Sequence, residues 1–302
     1  AAGQTETARI YRDRLLTFSR NLYTIGQGEW DSGNYWGHTF TAWLNLYDFA
    51  PEPAVRSAAK ATLDWLSITA ALKYWRGGFG GPSKRDGANA PRAALATKLL
   101  SLYFGEAIAP DPDPEPDVVY ALTSGYRPPA VAVAIARKQF DRPRELWASK
   151  PTYEHWKKDG RSAPAYFETL YFSQTFQLGS LAQGSGGDLN GFKLLAWNQR
   201  QGVDYGLASS GFNPAKISTH QHPESHGAIG QFGPRLIWLN DNGRAPFQWR
   251  LPAAIATEQA GDWSFWFFEK TWLALRPIAL SPPQRNAEAT ACLLYTSDAA
   301  DE

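Results

Sequence analysis

The chain changes texture once, near residue 140, and that change limits the fold more than any motif does. From Thr5 to about Arg137 apolar residues recur at helical spacing: Ile10, Leu15, Leu16 and Leu22, then Trp43, Leu44, Leu46 and Tyr47, then Leu63, Trp65, Leu66 and Ile68. Pro53 stands near the start of one such segment, Gly77 and Gly78 close it, and Pro128 with Pro129 open another. Proline at a helix entrance and glycine at its exit is the order that helix ends favour. The spacing predicts about six helices in hairpin-like pairs. After residue 140 the apolar runs become short, alternating or aromatic, at 172–181, 191–197, 203–209, 235–239, 247–251, 263–268 and 271–277. Gly186-Gly187 and Asn242-Gly243 supply turn signals between them. Helices followed by strands, rather than alternating with them, predict an α+β multidomain chain with a helical domain at 1–140 and an antiparallel β domain at 141–291. The D-P-D-P-E-P stretch at 111–116 reads as a surface spacer, because proline excludes helix interior and central strand.

A chain of 302 residues exceeds one average domain and can bury a large core. No apolar run reaches the roughly 18 residues that a membrane span needs, so a membrane span is not expected. The last eleven residues, C-L-L-Y-T-S-D-A-A-D-E at 292–302, resemble an in-frame translation of a sequencing adapter and are set aside as an artefact. The chain holds no methionine and begins in mid-pattern, so it reads as a fragment truncated at its N-terminus and in its β domain. Thirty basic residues stand against 29 acidic ones, three of which fall in that tail. The mild basic excess suits an acidic small molecule or glycan better than a nucleic acid, which calls for a dense Lys/Arg stripe. The single cysteine, Cys292, lies in the tail, which excludes disulfides elsewhere.

Three segments carry candidate chemistry. Residues 218–230, S-T-H-Q-H-P-E-S-H-G-A-I-G, gather His220, His222 and His226 beside Glu224, side chains suited to proton transfer, metal binding or both; a polar loop whose imidazoles cap turns is the plain alternative. Residues 28–40, G-E-W-D-S-G-N-Y-W-G-H-T-F, place Glu29 beside Trp30, with Asp31 or Ser32 as a helix cap. Asn34 and His38 then share one helix face with Tyr35 and Trp36 nearby, at an end that favours anions. The alternative there is core aromatics around a buried, satisfied His38. Residues 73–85, K-Y-W-R-G-G-F-G-G-P-S-K-R, combine Tyr74, Trp75, Arg76 and Arg85 with a glycine-rich loop, as the rim of a cleft for an acidic ligand or as a plain solvated connection. Thirteen tryptophans and thirteen tyrosines also suit sugar stacking, although most such rings belong in cores. No G-x-S-x-G, H-E-x-x-H, paired C-x-x-C or dinucleotide fingerprint occurs, which removes serine-hydrolase, zincin and nucleotide-cofactor readings.

A helical domain followed by strands that carry H-x-H-x-E at 220–224, the Asn242-Gly243 turn and F-W-F-F-E-K-T-W-L-A-L-R-P at 265–277 resembles the heparinase II/III-like and alginate lyase-like polysaccharide lyases. The resemblance covers most of 27–277. It implies a partial (α/α) toroid followed by an antiparallel β-sandwich, β-elimination on an acidic, uronate-containing polysaccharide or oligosaccharide, and a periplasmic or secreted setting. It also implies roles: His220 as catalytic acid or base, His38 and Tyr74 as further proton handlers, and Asn34 damping the uronate charge. Tyr35, Trp36, Trp75, Arg76, Arg85, Arg127, Glu29 and His226 would contact the glycan. His222 would ligate a structural Zn or Ca, with no cofactor required for the chemistry. Two other classes stay open: a glycoside hydrolase using Glu29 and Asp31, which needs carboxyls about 5 to 10 Å apart across a cleft, and a non-catalytic glycan-binding member of the same fold.

Overall fold

A computed structural model describes residues 4–84, 92, 94–105, 116–151, 164–184, 189–210, 227–240, 247–280, 284–286 and 292–296. Among them are six helices: α1 (Thr5–Thr24), α2 (Tyr35–Phe49), α3 (Pro53–Lys73), α4 (Leu95–Phe104), α5 (Val118–Thr123) and α6 (Ala130–Ala136). Proline does open α3, and Pro129 precedes the first residue of α6, where a missing N–H costs nothing. The inward residues of α2, α3 and α4, among them Trp36, Phe40, Leu63, Leu66, Leu99 and Phe104, form one core with Tyr126 from the loop before α6. Tyr126 buries a polar tip there. Its hydroxyl donates to Asp64 at 3.1 Å and lies 2.9 Å from the Ser67 hydroxyl, and burial pushes its pKa well up.

Three two-residue strands follow α3: β1 (Tyr74–Trp75), β2 (Gly78–Phe79) and β3 (Ser83–Lys84). From residue 144 the described chain is extended: β4 (Arg144–Pro151), β5 (Pro164–Phe172), β6 (Phe176–Leu181), β7 (Leu189–Asn190), β8 (Phe192–Asn198), β9 (Gly202–Ser210), β10 (Gly227–Phe232), β11 (Arg235–Asn240), β12 (Phe247–Leu251), β13 (Ala256–Ala260), β14 (Trp263–Phe267), β15 (Trp272–Leu275), β16 (Gln284–Asn286) and β17 (Cys292–Thr296). An eight-stranded antiparallel sheet runs β16-β17-β12-β9-β8-β6-β5-β4, beside a β10-β11 hairpin and a three-stranded β13-β14-β15 sheet. Leu178, Phe192, Leu194 and Ala196 of the large sheet meet Ile229, Trp266 and Phe268 in a second core, so the small sheets lie over one face of the large one. The α+β class read from the sequence is present.

The opposite face of the large sheet meets the helical half. Trp75 packs against Leu195 and Val203, and β3 pairs with β7, Ser83 opposite Asn190. Gly78, Gly80 and Gly179 permit this approach, because a Cβ on any of them would fall under 3.0 Å from an atom across the junction. One sequence expectation needs adjustment. The run at 172–181 is two strands joined by a turn, in which the Ser173 hydroxyl accepts the Thr175 and Phe176 N–H groups. Residues 292–296 form β17, paired between β12 and β16.

Candidate functional site

The loop ahead of α2 sends its polar residues in opposite directions. Ser32, not Asp31, accepts the Tyr35 N–H at 3.2 Å, while the His38 N–H donates to the Asn34 carbonyl. Asn34 and Tyr35 are exposed, and the His38 side chain is 61% exposed. His38 Nδ1 lies 2.8 Å from Asp117 Oδ2, at the residue that precedes α5. An ionised carboxylate can only accept, so Nδ1–H donates to Asp117 and, in the neutral imidazole, Nε2 is the acceptor. The Tyr35 ring stands edge-on to the imidazole, 6.4 Å between centroids. His38 is therefore neither buried nor a core filler. Asp117 was not anticipated from sequence; it directly follows the 111–116 stretch read as a spacer, and nothing local ties it to a histidine 79 positions away.

Three other proposed site residues, Tyr74, Trp36 and Trp75, are interior. Tyr74 is 1% exposed and its hydroxyl donates to the Gly105 carbonyl at 2.6 Å, with its ring against Phe104. Trp36 stacks on Phe40 in the helical core, and Trp75 fills the junction with the sheet. These three rings offer no face to a glycan, because their apolar area is worth more buried than exposed. Arg127 is exposed and its guanidinium is turned onto the Ser124 and Tyr126 carbonyls. Glu29 is half-buried. Arg76 donates Nε–H to the Gly202 carbonyl at the β8–β9 turn. Arg85, His220, His222, Glu224 and His226 lie outside the described residues, as does the Asn242-Gly243 turn. The implied Zn or Ca thus has its ligand there too; among the described residues no group of three or more His, Cys, Asp or Glu side chains could hold a metal.

Asp31 turns inward with a φ of 53° and enters a four-charge cluster between the helices and the sheet. Lys150 of β4 approaches it at 2.7 Å and Lys73, the last residue of α3, at 3.3 Å. Lys73 also contacts Glu168 of β5, which lies 3.4 Å from Lys150. All four are buried or nearly so, and the buried Lys193 adds a third cation that acts on Lys73. Gln177 of β6 donates to the Leu72 and Lys73 carbonyls and so closes the α3 terminus. Burial favours the neutral acid at Asp31, but Lys150 and Lys73 outweigh it and hold its pKa down. Burial pulls Lys73 down to about 7 against the pull of Asp31. Gly81 has a φ of 76°, which strains any side chain, and a Cβ there would sit 2.6 Å from Lys73 Nζ and 2.8 Å from its Cδ. The sequence did carry one signal. Glu168 falls in the inward phase of β5, between Tyr166 and Leu170, where a lone acid demands a buried partner.

Among the described residues no helix is long and apolar enough to cross a membrane. No family model, curated protein or solved structure matches the chain.

Proposed function

We propose that the chain is a polysaccharide lyase that cleaves an acidic, uronate-containing glycan by β-elimination. The observation that carries this reading is the exposed His38–Asp117 pair, with Nδ1 held at 2.8 Å and Nε2 free to exchange a proton with a ligand. Elimination from a uronate needs the carboxylate charge damped, the α-proton removed and the leaving oxygen protonated. Nε2 of His38 would take or deliver a proton. The exposed Asn34 amide, one turn away, would donate to the carboxylate. Tyr35, whose ring lies beside the imidazole, is better placed than the buried Tyr74 to serve as the second proton handler. His220 would complete the set from the second half of the chain, and the exposed Arg127 lies on the helical half with them.

In this reading the six helices belong to an (α/α) toroid, and the sheets joined by the Leu178–Trp266–Phe268 core form an antiparallel sandwich. The protein would then work in the periplasm or outside the cell. A glycoside hydrolase is the weaker alternative, because Asp31, one of its two candidate carboxylates, is engaged by Lys73 and Lys150 rather than facing a cleft. The test is to incubate the chain with alginate, polygalacturonate, hyaluronate and chondroitin sulfate and to follow both ultraviolet absorbance and reducing ends. Unsaturated product is expected from at least one of these and is lost in His38→Ala. New reducing ends without absorbance would make the chain a hydrolase, and neither signal in the presence of glycan binding would leave a non-catalytic binder.

A further inference from the structure

At the far side of the junction two cations converge on one indole. The Arg76 guanidinium carbon lies 5.1 Å from the Trp197 ring centroid, and the Lys270 ammonium lies 3.6 Å from it. Arg76 spends only Nε on the protein, donating to the Gly202 carbonyl at 3.0 Å. Among the described residues no carboxylate pairs with either cation. The two acids nearby are already engaged: Glu269 accepts the Gln199 N–H at 2.7 Å, and Asp204 is held by Asn198 and Gln201 within the β8–β9 turn. Arg92 reinforces the same turn by donating to Gln201 at 2.7 Å. Both carboxylates keep their charge in these hydrogen bonds to neutral donors, but among the described residues neither forms an ion pair with Arg76 or Lys270, so the rim presents two cations without a carboxylate partner beside an aromatic ring.

The backbone has been bent to achieve this. Arg76 has a φ of 49°, in the left-handed region that disfavours side chains, although it sits next to Gly77 in a turn where glycine would carry no strain. Its carbonyl approaches Gly202 so closely that a Cβ there would lie 2.0 Å from the oxygen. A strained arginine locked by a mandatory glycine is what a site needing a guanidinium at a fixed place requires.

We propose that Arg76 and Lys270, set over Trp197, form a subsite for the carboxylate or sulfate group of an acidic sugar. The terminal N–H groups of Arg76 and the ammonium of Lys270 bind the anion, and the indole face, which both cations approach, fixes where they stand. The assignment of a sugar rests on the lyase reading above; the anion site rests on the geometry alone. The same chemistry is available from inorganic sulfate, and the titration below separates that ion from a sugar-borne group.

The experiment is titration calorimetry of the chain with polygalacturonate, dextran sulfate, neutral dextran and inorganic sulfate, repeated on Lys270→Ala and Arg76→Gln. Binding of polygalacturonate or dextran sulfate, absent with neutral dextran and weakened about tenfold by each variant, is expected, since one charge-assisted contact contributes about that factor. Lys270 is exposed, so its variant tests the site even if Arg76→Gln misfolds. Unchanged affinity in Lys270→Ala, or binding of inorganic sulfate without either polyanion, overturns the subsite. Polyanion binding that needs Lys270, in a chain that releases no unsaturated product, retains the subsite and removes the lyase.

Discussion

Replacing Glu168 by glutamine removes one charge from the buried cluster while keeping the side chain's shape. Lys73 and Lys150 would then share Asp31 alone, with Lys193 also acting on Lys73. Breaking a buried ion pair in this way costs up to about 3–5 kcal/mol. The variant has an escape: Lys73 can release its proton. In the folded protein Lys73 titrates near 7, below its ordinary 10.5, so the unfolded chain binds the extra proton between those values and stability from this group rises with pH across that window. Losing Glu168 lowers the folded value further. Near pH 7 the proton is released almost freely, whereas each unit below adds about 1.4 kcal/mol to the cost of release. The stability gap between parent and variant is therefore expected to be small above about pH 8 and to widen at about 1.4 kcal/mol per unit between about pH 7 and pH 5, toward the limit for a broken pair. Urea unfolding followed by tryptophan fluorescence at each pH reads the gap directly, and taking the difference cancels groups common to both proteins. A gap that is flat with pH, or that widens above 7, would refute the reasoning.

Gly202→Ala places a Cβ at 2.0 Å from the Arg76 carbonyl oxygen at a φ of 86°, and should destabilise the fold by more than about 1 kcal/mol in the same unfolding assay. It should also weaken polyanion binding, because the turn that fixes Arg76 must shift. Tyr126→Phe leaves the buried Ser67 hydroxyl and Asp64 short of a partner and is expected to cost about 1–3 kcal/mol by urea unfolding. Asp117→Asn keeps the imidazole's neighbour but alters which nitrogen holds the proton; a lower kcat with a displaced pH profile and a nearly unchanged KM marks Asp117 as a positioning residue for His38.

The helical half was legible because its apolar residues repeat at fixed spacing and Pro53 and Gly77 mark the ends of one long segment. The described elements change from helix to strand between α6 (Ala130–Ala136) and β4 (Arg144–Pro151). Strand limits were legible only where one face is buried. All five residues of β13 are exposed, so Ala256–Ala260 has no alternation to read and is defined solely by its pairing with β14. In β4, Arg144–Pro151, apolar residues are few and Trp147 points outward. The candidate site was legible in part. His38 and Asn34 could be placed on one exposed helix end from the cap that precedes them, yet the acidic partner of His38 comes from a separate loop. The role of Tyr74 rests on the resemblance alone, and the deciding fact, the Gly105 carbonyl to which its hydroxyl donates, lies just after α4. The four-charge cluster joins residues 31, 73, 150 and 168, separations at which no local pattern survives. Its hint was Glu168 in the buried phase of a strand.

The central claim is that His38, held by Asp117, moves a proton in glycan cleavage, and the most direct measurement is the rate of unsaturated-product release by His38→Gln, Asp117→Asn and the double variant on a uronate polysaccharide the parent cleaves. The account predicts that His38→Gln loses about 10²–10⁴-fold in kcat and that adding Asp117→Asn costs little more, because the two act as a unit. His38→Gln turning over at the parent's rate would contradict it.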